Sequence, residues 1–178
     1  MAGSRPKRPA FRAERYELSQ AGLWLSAIEA AEADALGQTL VAIEPWSHYG
    51  TTAANLASLF VPAADGGIRL AVRSHDCPIP IGVAVIRHPW LAGPYMQFLA
   101  IKPGYQRRGH GHAILNWFET EARGGGARNA WICAVSINSG ALKLYASCGY
   151  EQVAILDDLI KSGLDEILMR KKLNPSDN

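Results

Sequence analysis

Residues 98 to 111 read Phe-Leu-Ala-Ile-Lys-Pro-Gly-Tyr-Gln-Arg-Arg-Gly-His-Gly, an apolar strand that breaks into a Gln-x-x-Gly-x-Gly turn and then passes into a helix. Gly109 and Gly111 carry no Cβ, so main-chain N–H groups of Gln106 to Gly111 can crowd toward one point. The helix that starts there adds unpaired donors and the positive end of its dipole, and together these attract an anion such as a pyrophosphate. The turn is not a dinucleotide fingerprint, because Ile114 stands where the third glycine belongs and no acidic residue at a strand end follows at the expected spacing. Nor is it a Walker loop, since no Gly-Lys-Ser/Thr ends it. It suggests a nucleotide-bearing cofactor that is neither a nicotinamide nor a nucleoside triphosphate.

A second cluster lies downstream. Asn138 and Tyr145 are seven residues apart, two helical turns, so they share one face about 10 Å apart along the axis. A long, thin ligand could touch both; the plainer reading is that Asn138 caps the helix and Tyr145 is a core residue.

Around these motifs the spacing of apolar residues predicts further elements. Leu18 to about Leu36 reads as a helix packing Trp24, Ile28 and Ala31 inward, with Gly37 as its stop. Glu44-Pro45-Trp46 marks a turn, and Thr51 or Thr52 caps a short helix through Leu56, Leu59 and Phe60. Three strands are expected at residues 68–73, 81–87 and 95–101, an antiparallel meander separated by loops at 74–80 and 88–94. Residues 109–123 form an amphipathic helix ended by Gly124-Gly125-Gly126. A central strand follows at 130–135, a helix at 138–147, and two strands at 150–156 and 165–170. The sum is an α/β domain with a sheet of mixed direction and helices on both faces, whose ligands bind at strand carboxyl ends.

Length and composition bound the reading. A chain of 178 residues with 48% hydrophobic content supports one substantial core. Eighteen basic and sixteen acidic residues leave a formal charge of +2, too little for a global field that recruits nucleic acid or anionic lipid. Residues 1–14, with Arg5, Lys7, Arg8, Arg12 and Arg15 in or beside a Pro-containing stretch, read as a mobile basic tail. Residues 174–178 read as a second tail, with one domain between them. Cys77, Cys133 and Cys148 are odd in number and unpatterned, which argues against a disulfide framework or a four-ligand zinc site. His110 and His112 point to nearly opposite sides of a helix, so no metal site is expected. With no signal-like or membrane-spanning apolar run, a cytoplasmic protein is expected.

The run Leu-Ala-Ile-x-Pro-x-Tyr-Gln-Arg-Arg-Gly-x-Gly from Leu99, together with Asn138, Ala141-Leu142-x-Leu144-Tyr145 and Cys148-Gly149-Tyr150, resembles the GCN5-related N-acetyltransferase (GNAT) superfamily over about residues 68–171. The resemblance implies a single GNAT-like domain with a mixed, mostly antiparallel sheet, and acetyl-CoA as co-substrate. Gln106, Arg107, Arg108, Gly109, His110 and Gly111 would hold the coenzyme A phosphates. Leu99, Ala100 and Ile101 would pair through their backbone with the pantetheine arm, and Asn138 would contact it. Tyr145 would lie near the thioester sulfur, bind cofactor and act in catalysis.

The implied reaction is direct attack of a primary amine on the thioester in a ternary complex, governed by positioning and oxyanion stabilisation. The Tyr145 hydroxyl would protonate the departing thiolate. A general base is not apparent, because Tyr95, Gln97 and Cys133 occupy the nearby positions and none is a carboxylate. A water chain or a base from the Glu44 loop is considered, with His48 a candidate. Glu44, Trp46 and Tyr49 are candidate acceptor-binding residues, against the alternative of a turn pinned by a buried Trp. A small-molecule amine and a protein amine are both open as acceptor. The competing class is a noncatalytic acyl-CoA-binding or sensing module, which the missing carboxylate permits. A homodimer cannot be read from these residues, and neither nucleic acid nor membrane is an expected partner.

Overall fold

The computed structural model describes residues 10–12, 14–63 and 65–173. Its elements are β1 (Arg15–Leu18), β2 (Leu23–Ala27), α1 (Ala30–Leu40), α2 (Trp46–Tyr49), α3 (Ala53–Phe60), β3 (Ile68–Ser74), β4 (Cys77–Trp90), β5 (Gly93–Ile101), α4 (His110–Gly124), β6 (Asn129–Val135), α5 (Ser139–Ser147), β7 (Glu151–Lys161) and β8 (Leu164–Lys172). Eight strands form one sheet in the order β1-β2-β3-β4-β5-β6-β8-β7. Every neighbouring pair is antiparallel except β5 with β6. The mixed, mostly antiparallel α/β sheet expected from the sequence is the one observed.

Period-two alternation divides the core into two layers. On β4, Ala84 and Ile86 join Met96, Ile132 and the α4 residues Ile114, Leu115 and Phe118 on one face. Val83 and Val85 turn to the other face, where they meet Leu36 and Leu40 of α1 and Leu56 and Phe60 of α3. A strand buried on both sides reads as a continuous apolar run, as residues 81–86 do. Thr52 caps α3 as expected, its hydroxyl accepting from the Asn55 N–H at 3.1 Å.

The expected helix from Leu18 to Leu36 is corrected. Leu23 and Leu25 are fully buried while Trp24 and Ser26 face outward, and this stretch is strand β2 between β1 and β3. Trp24 is not a core residue; the guanidiniums of Arg15 and Arg73 lie over its ring at 3.9 and 5.0 Å. Pairing with β3 overrides the helical propensity of a short Ala/Leu/Glu-rich run. The helix begins only at Ala30, where Glu29 and Glu32 form a reciprocal capping box. Gly37 lies inside α1, where a Cβ would stand 2.5 Å from the Ala53 carbonyl oxygen, so it allows the close approach of α3 rather than ending the helix.

The hairpins are also tighter than the sequence suggests, with β3 and β4 joined through His75-Asp76 and β7 and β8 through Ser162-Gly163. On the amphipathic α4, Glu119 is buried and accepts from Lys171 at 2.6 Å and Arg123 at 3.1 Å. Residues 1–9 and 13 of the expected tail lie outside the described residues, as do 174–178. Phe11, assigned to that tail, belongs to the core instead, within 6 Å of the rings of Trp117, Phe118 and His88.

Gly82 of β4 faces Ile101 of β5, and a Cβ there would meet the Ala100 carbonyl oxygen at 2.3 Å. Backbone cannot yield as a flexible side chain can, so Gly82→Ala is expected to cost about 1–3 kcal/mol by overpacking, measured by urea denaturation.

Candidate functional site

The parallel pair β5 and β6 is held in register only at Tyr95 with Trp131 and at Met96 with Ile132. Beyond these residues the strands part, and Phe98 to Ile101 remain paired to β4 alone. At the parting point β5 carries a bulge, since Val85 faces Phe98 while Ile86 faces Met96 and Gln97 is left as the extra residue. A cleft of about 950 Å³ fills the gap. It is lined on one side by α4 and α5 and on the other by the Glu44 loop and the β7–β8 hairpin.

The glycine turn stands at one end of this cleft. Gly109 is the N-cap of α4 with φ of 81°, and no side chain caps the helix. The donors of the first turn are therefore free to meet a ligand. The Gln106 amide donates to the Ile101 carbonyl at 2.8 Å, tying the turn back to the end of β5. A Cβ on Gly111 would lie 2.8 Å from Leu144 Cδ2, so this glycine seats the start of α4 against α5. Arg107, His110, Gly111 and Gln106 line the cleft, as do Leu99, Ala100 and Ile101; Arg108 and Gly109 belong to the same turn, and Arg108 lies over the Tyr105 ring. Burial pushes the pKa of His110 below the usual histidine value. Its Nδ1 is buried without a partner, while exposed His112 contacts Ser147 at 3.1 Å.

Asn138 caps its helix as the plainer reading expects. Its Oδ1 caps α5, accepting from the Ala141 N–H at 3.0 Å, and the residue lines the cleft. Tyr145 also lines the cleft and is buried, yet its hydroxyl has no hydrogen-bond partner among the described residues. Burial raises its pKa above the ordinary phenol value, which keeps the hydroxyl a proton donor.

Across the cleft, Trp46 stacks on Phe98 with centroids 4.8 Å apart. Glu44 stands exposed at the rim, 3.3 Å from His48. Tyr49 donates to a carboxylate that the sequence reading did not consider, Glu166 of β8. Glu166 is 4% exposed and also receives a hydrogen bond from the Cys133 thiol. Burial raises its pKa, and the two donors oppose that shift without cancelling it. Cys133 is a half-buried hydrogen-bond donor whose pKa is pushed up to about 12, first by burial and then by the Glu166 charge. A thiol so placed stays protonated and is a poor nucleophile.

Glu166 belongs here because β8, not β7, pairs with β6, setting Val135 opposite Glu166 and Cys133 on the diagonal. The available signal was an acidic residue at a core-facing position of a strand, Glu166 next to Ile167. Among the described residues no group of three or more metal-ligating side chains converges, and no helix is long and apolar enough to cross a membrane.

The sheet is thus split between its parallel strands, with an uncapped helix N-terminus at the mouth of the split, in an α/β protein. The acetyltransferase (GNAT) family model matches residues 25–150, and the chain belongs to that family. No curated protein sequence matches the chain significantly.

Among solved structures, the ribosomal-protein-S18-alanine N-acetyltransferase of Escherichia coli is 21% identical, with a TM-score of 0.66 over 85% of this chain and 94% of that one. The spermidine N-acetyltransferase of Vibrio cholerae, solved with CoA and spermine, is 15% identical with a TM-score of 0.66 over 86% and 96%. The yncA protein of Salmonella typhimurium, solved with its cofactor acetyl-CoA, is 16% identical with a TM-score of 0.62 over 88% and 97%. At these identities the likeness shows the fold.

Because Gly109 holds a left-handed conformation, Gly109→Ala is expected to lose roughly 1–2 kcal/mol, read from the denaturant midpoint.

Proposed function

We propose that the chain transfers the acetyl group of acetyl-CoA to a primary amine within a ternary complex, with Glu166 taking the proton of the amine and Tyr145 giving one to the departing sulfur. The observation that carries this reading is the pairing, in one cleft, of the buried Glu166 carboxylate on one wall with the Tyr145 hydroxyl, unpartnered among the described residues, on the other. Acetyl-CoA supplies the activated acyl thioester. The uncapped turn at Gln106 to Gly111 fits its phosphates, and the backbone of Leu99 to Ile101, unpaired on the β6 side, fits its extended arm. The two relatives solved with CoA or acetyl-CoA support the same choice of co-substrate.

Glu166 answers the missing base. A carboxylate raised by burial is a better proton acceptor than an exposed one, and Tyr49 and Cys133 hold it in place. This favours an enzyme over a noncatalytic acyl-CoA-binding module. Glu44 and the stacked Trp46 line the path by which an amine would approach, and Tyr49 acts through Glu166 as a positioning residue. Direct attack is also the better route because Cys133, the thiol in the cleft, is held neutral. The domain is read as cytoplasmic, flanked by basic residues 1–9 with no assigned role.

Thiol release from acetyl-CoA over a panel of primary amines tests the activity. Glu166→Gln is expected to lower kcat by about 10²-fold or more with little change in coenzyme A affinity. Tyr145→Phe should do the same, and full turnover in both variants would overturn the assignment.

The pH profile gives an independent check. The base must be ionised, so kcat should rise with pH through a pKa above the ordinary carboxylate range, and this limb should vanish in Glu166→Gln. Tyr49→Phe removes a bond that lowers that pKa, so the limb should move to higher pH.

A further inference from the structure

The cleft reaches the bulge of β5. Tyr95 and Gln97 line it and also line a second hollow of about 500 Å³ beneath Asp65 and Gly66, with Arg87 and Trp90 on its walls. The hollow is on the face of the sheet that carries α1 and α3, because Arg69, which grips the same Asp65, also donates to the Leu59 carbonyl at 2.8 Å. Its wall carries the Arg87 guanidinium and the Asp65 carboxylate, and buried Arg69 grips Asp65 from behind. Asp65 accepts from Arg69 through both oxygens, at 2.9 and 2.8 Å, and from Arg87. One negative charge between two positive ones leaves an excess of positive charge. Arg87 is further fixed by Nε donating to Gln97 at 2.7 Å, and its Nη2 has no partner among the described residues. Trp90 and Tyr95 stack at 4.7 Å beside it, giving an apolar floor.

The two hollows, which adjoin at Tyr95 and Gln97, therefore differ in the charges they present. Glu166 and Glu44 stand in the cleft, and Arg87 with its unpaired donor stands in the second hollow. We propose that the acceptor amine carries a carboxylate, and that Arg87 binds it. This rests on the reading of the chain as an amine acetyltransferase and narrows its substrate class.

The register gives a scale. Arg87 faces Tyr95, Tyr95 faces Trp131, and Trp131 faces Arg170, four residues from Glu166 on β8. Three strand spacings of ~4.8 Å and four residues of ~3.3 Å put the Arg87 and Glu166 Cα atoms roughly 20 Å apart. Bridged in part by the two side chains, that span suits an extended ω-amino acid or a short peptide. A planar guanidinium suits a carboxylate, and such charge-assisted bonds amount to about 10- to 100-fold in affinity.

The experiment compares 4-aminobutanoate, 6-aminohexanoate, 8-aminooctanoate and triglycine with n-alkylamines and triglycine amide of matched length. Acetyl-CoA turnover gives kcat/KM, and calorimetry gives binding to the CoA complex. The wild type should prefer the carboxylates by about 10- to 100-fold at one length of each series, free acids and peptide telling the two sources apart. That preference should fall to near unity in Arg87→Met and be partial in Arg87→Lys. Equal or better use of the uncharged amines, or a preference that survives Arg87→Met, would overturn the proposal. If no amine is acetylated, the catalytic reading fails by itself, and calorimetry still decides: carboxylate binding lost in Arg87→Met sustains the site, and binding that is absent or insensitive to Arg87 removes it.

Discussion

The parting of β5 from β6 after two paired residues is the constraint on which the rest of this structure depends. Two parallel strands that stayed in register would close the sheet and leave no cleft. They part at a bulge, because the extra Gln97 shifts the pairing of β5 with β4 and bends the strand. β6 is then stabilised from its other side, by seven antiparallel pairs with β8. The opening thus costs few backbone hydrogen bonds, and those it does cost leave donors and acceptors where a ligand can use them.

Everything placed around the gap follows from which element flanks it. α4 leaves the end of β5 through the glycine turn, so its free N–H groups point at one mouth of the cleft. α5 leaves β6 through Asn138, whose side chain is occupied in capping the helix that presents Tyr145. β8 sits next to β6 instead of at the edge, and so carries Glu166 to the opposite wall. Tyr49 reaches Glu166 from the Glu44 loop, and Lys161 donates to the His48 carbonyl from the hairpin, so loop and hairpin brace each other along one wall of the cleft.

The parts legible in the sequence were those encoded locally. The turn at Gln106 to Gly111, the cap at Asn138, the Thr52 cap and the amphipathic α4 depend on neighbours within a few residues, and each is where its pattern put it. Glu166 was missed because its role depends on strand order, which no local pattern states. Its two donors come from positions 117 and 33 residues away, Tyr49 and Cys133. The β1–β2 hairpin was misread because Leu23 and Leu25 give too short an alternation to outweigh the helix-forming residues around them. Strand pairing with β3, invisible to periodicity, decided that segment. Arg87 could not be singled out at all, since Asp65, Gln97 and Trp90 become its surroundings only in the folded sheet.

Phe11 gives the amino end of the chain a structural weight that its composition conceals. Its ring plugs the aromatic cluster of Trp117 and Phe118 on α4, the same helix whose opposite end forms the glycine turn. Trimming the protein to the first strand would therefore uncover a greasy socket on the helix that frames the cleft, and any shortened version made for crystallisation or fusion should keep residue 11.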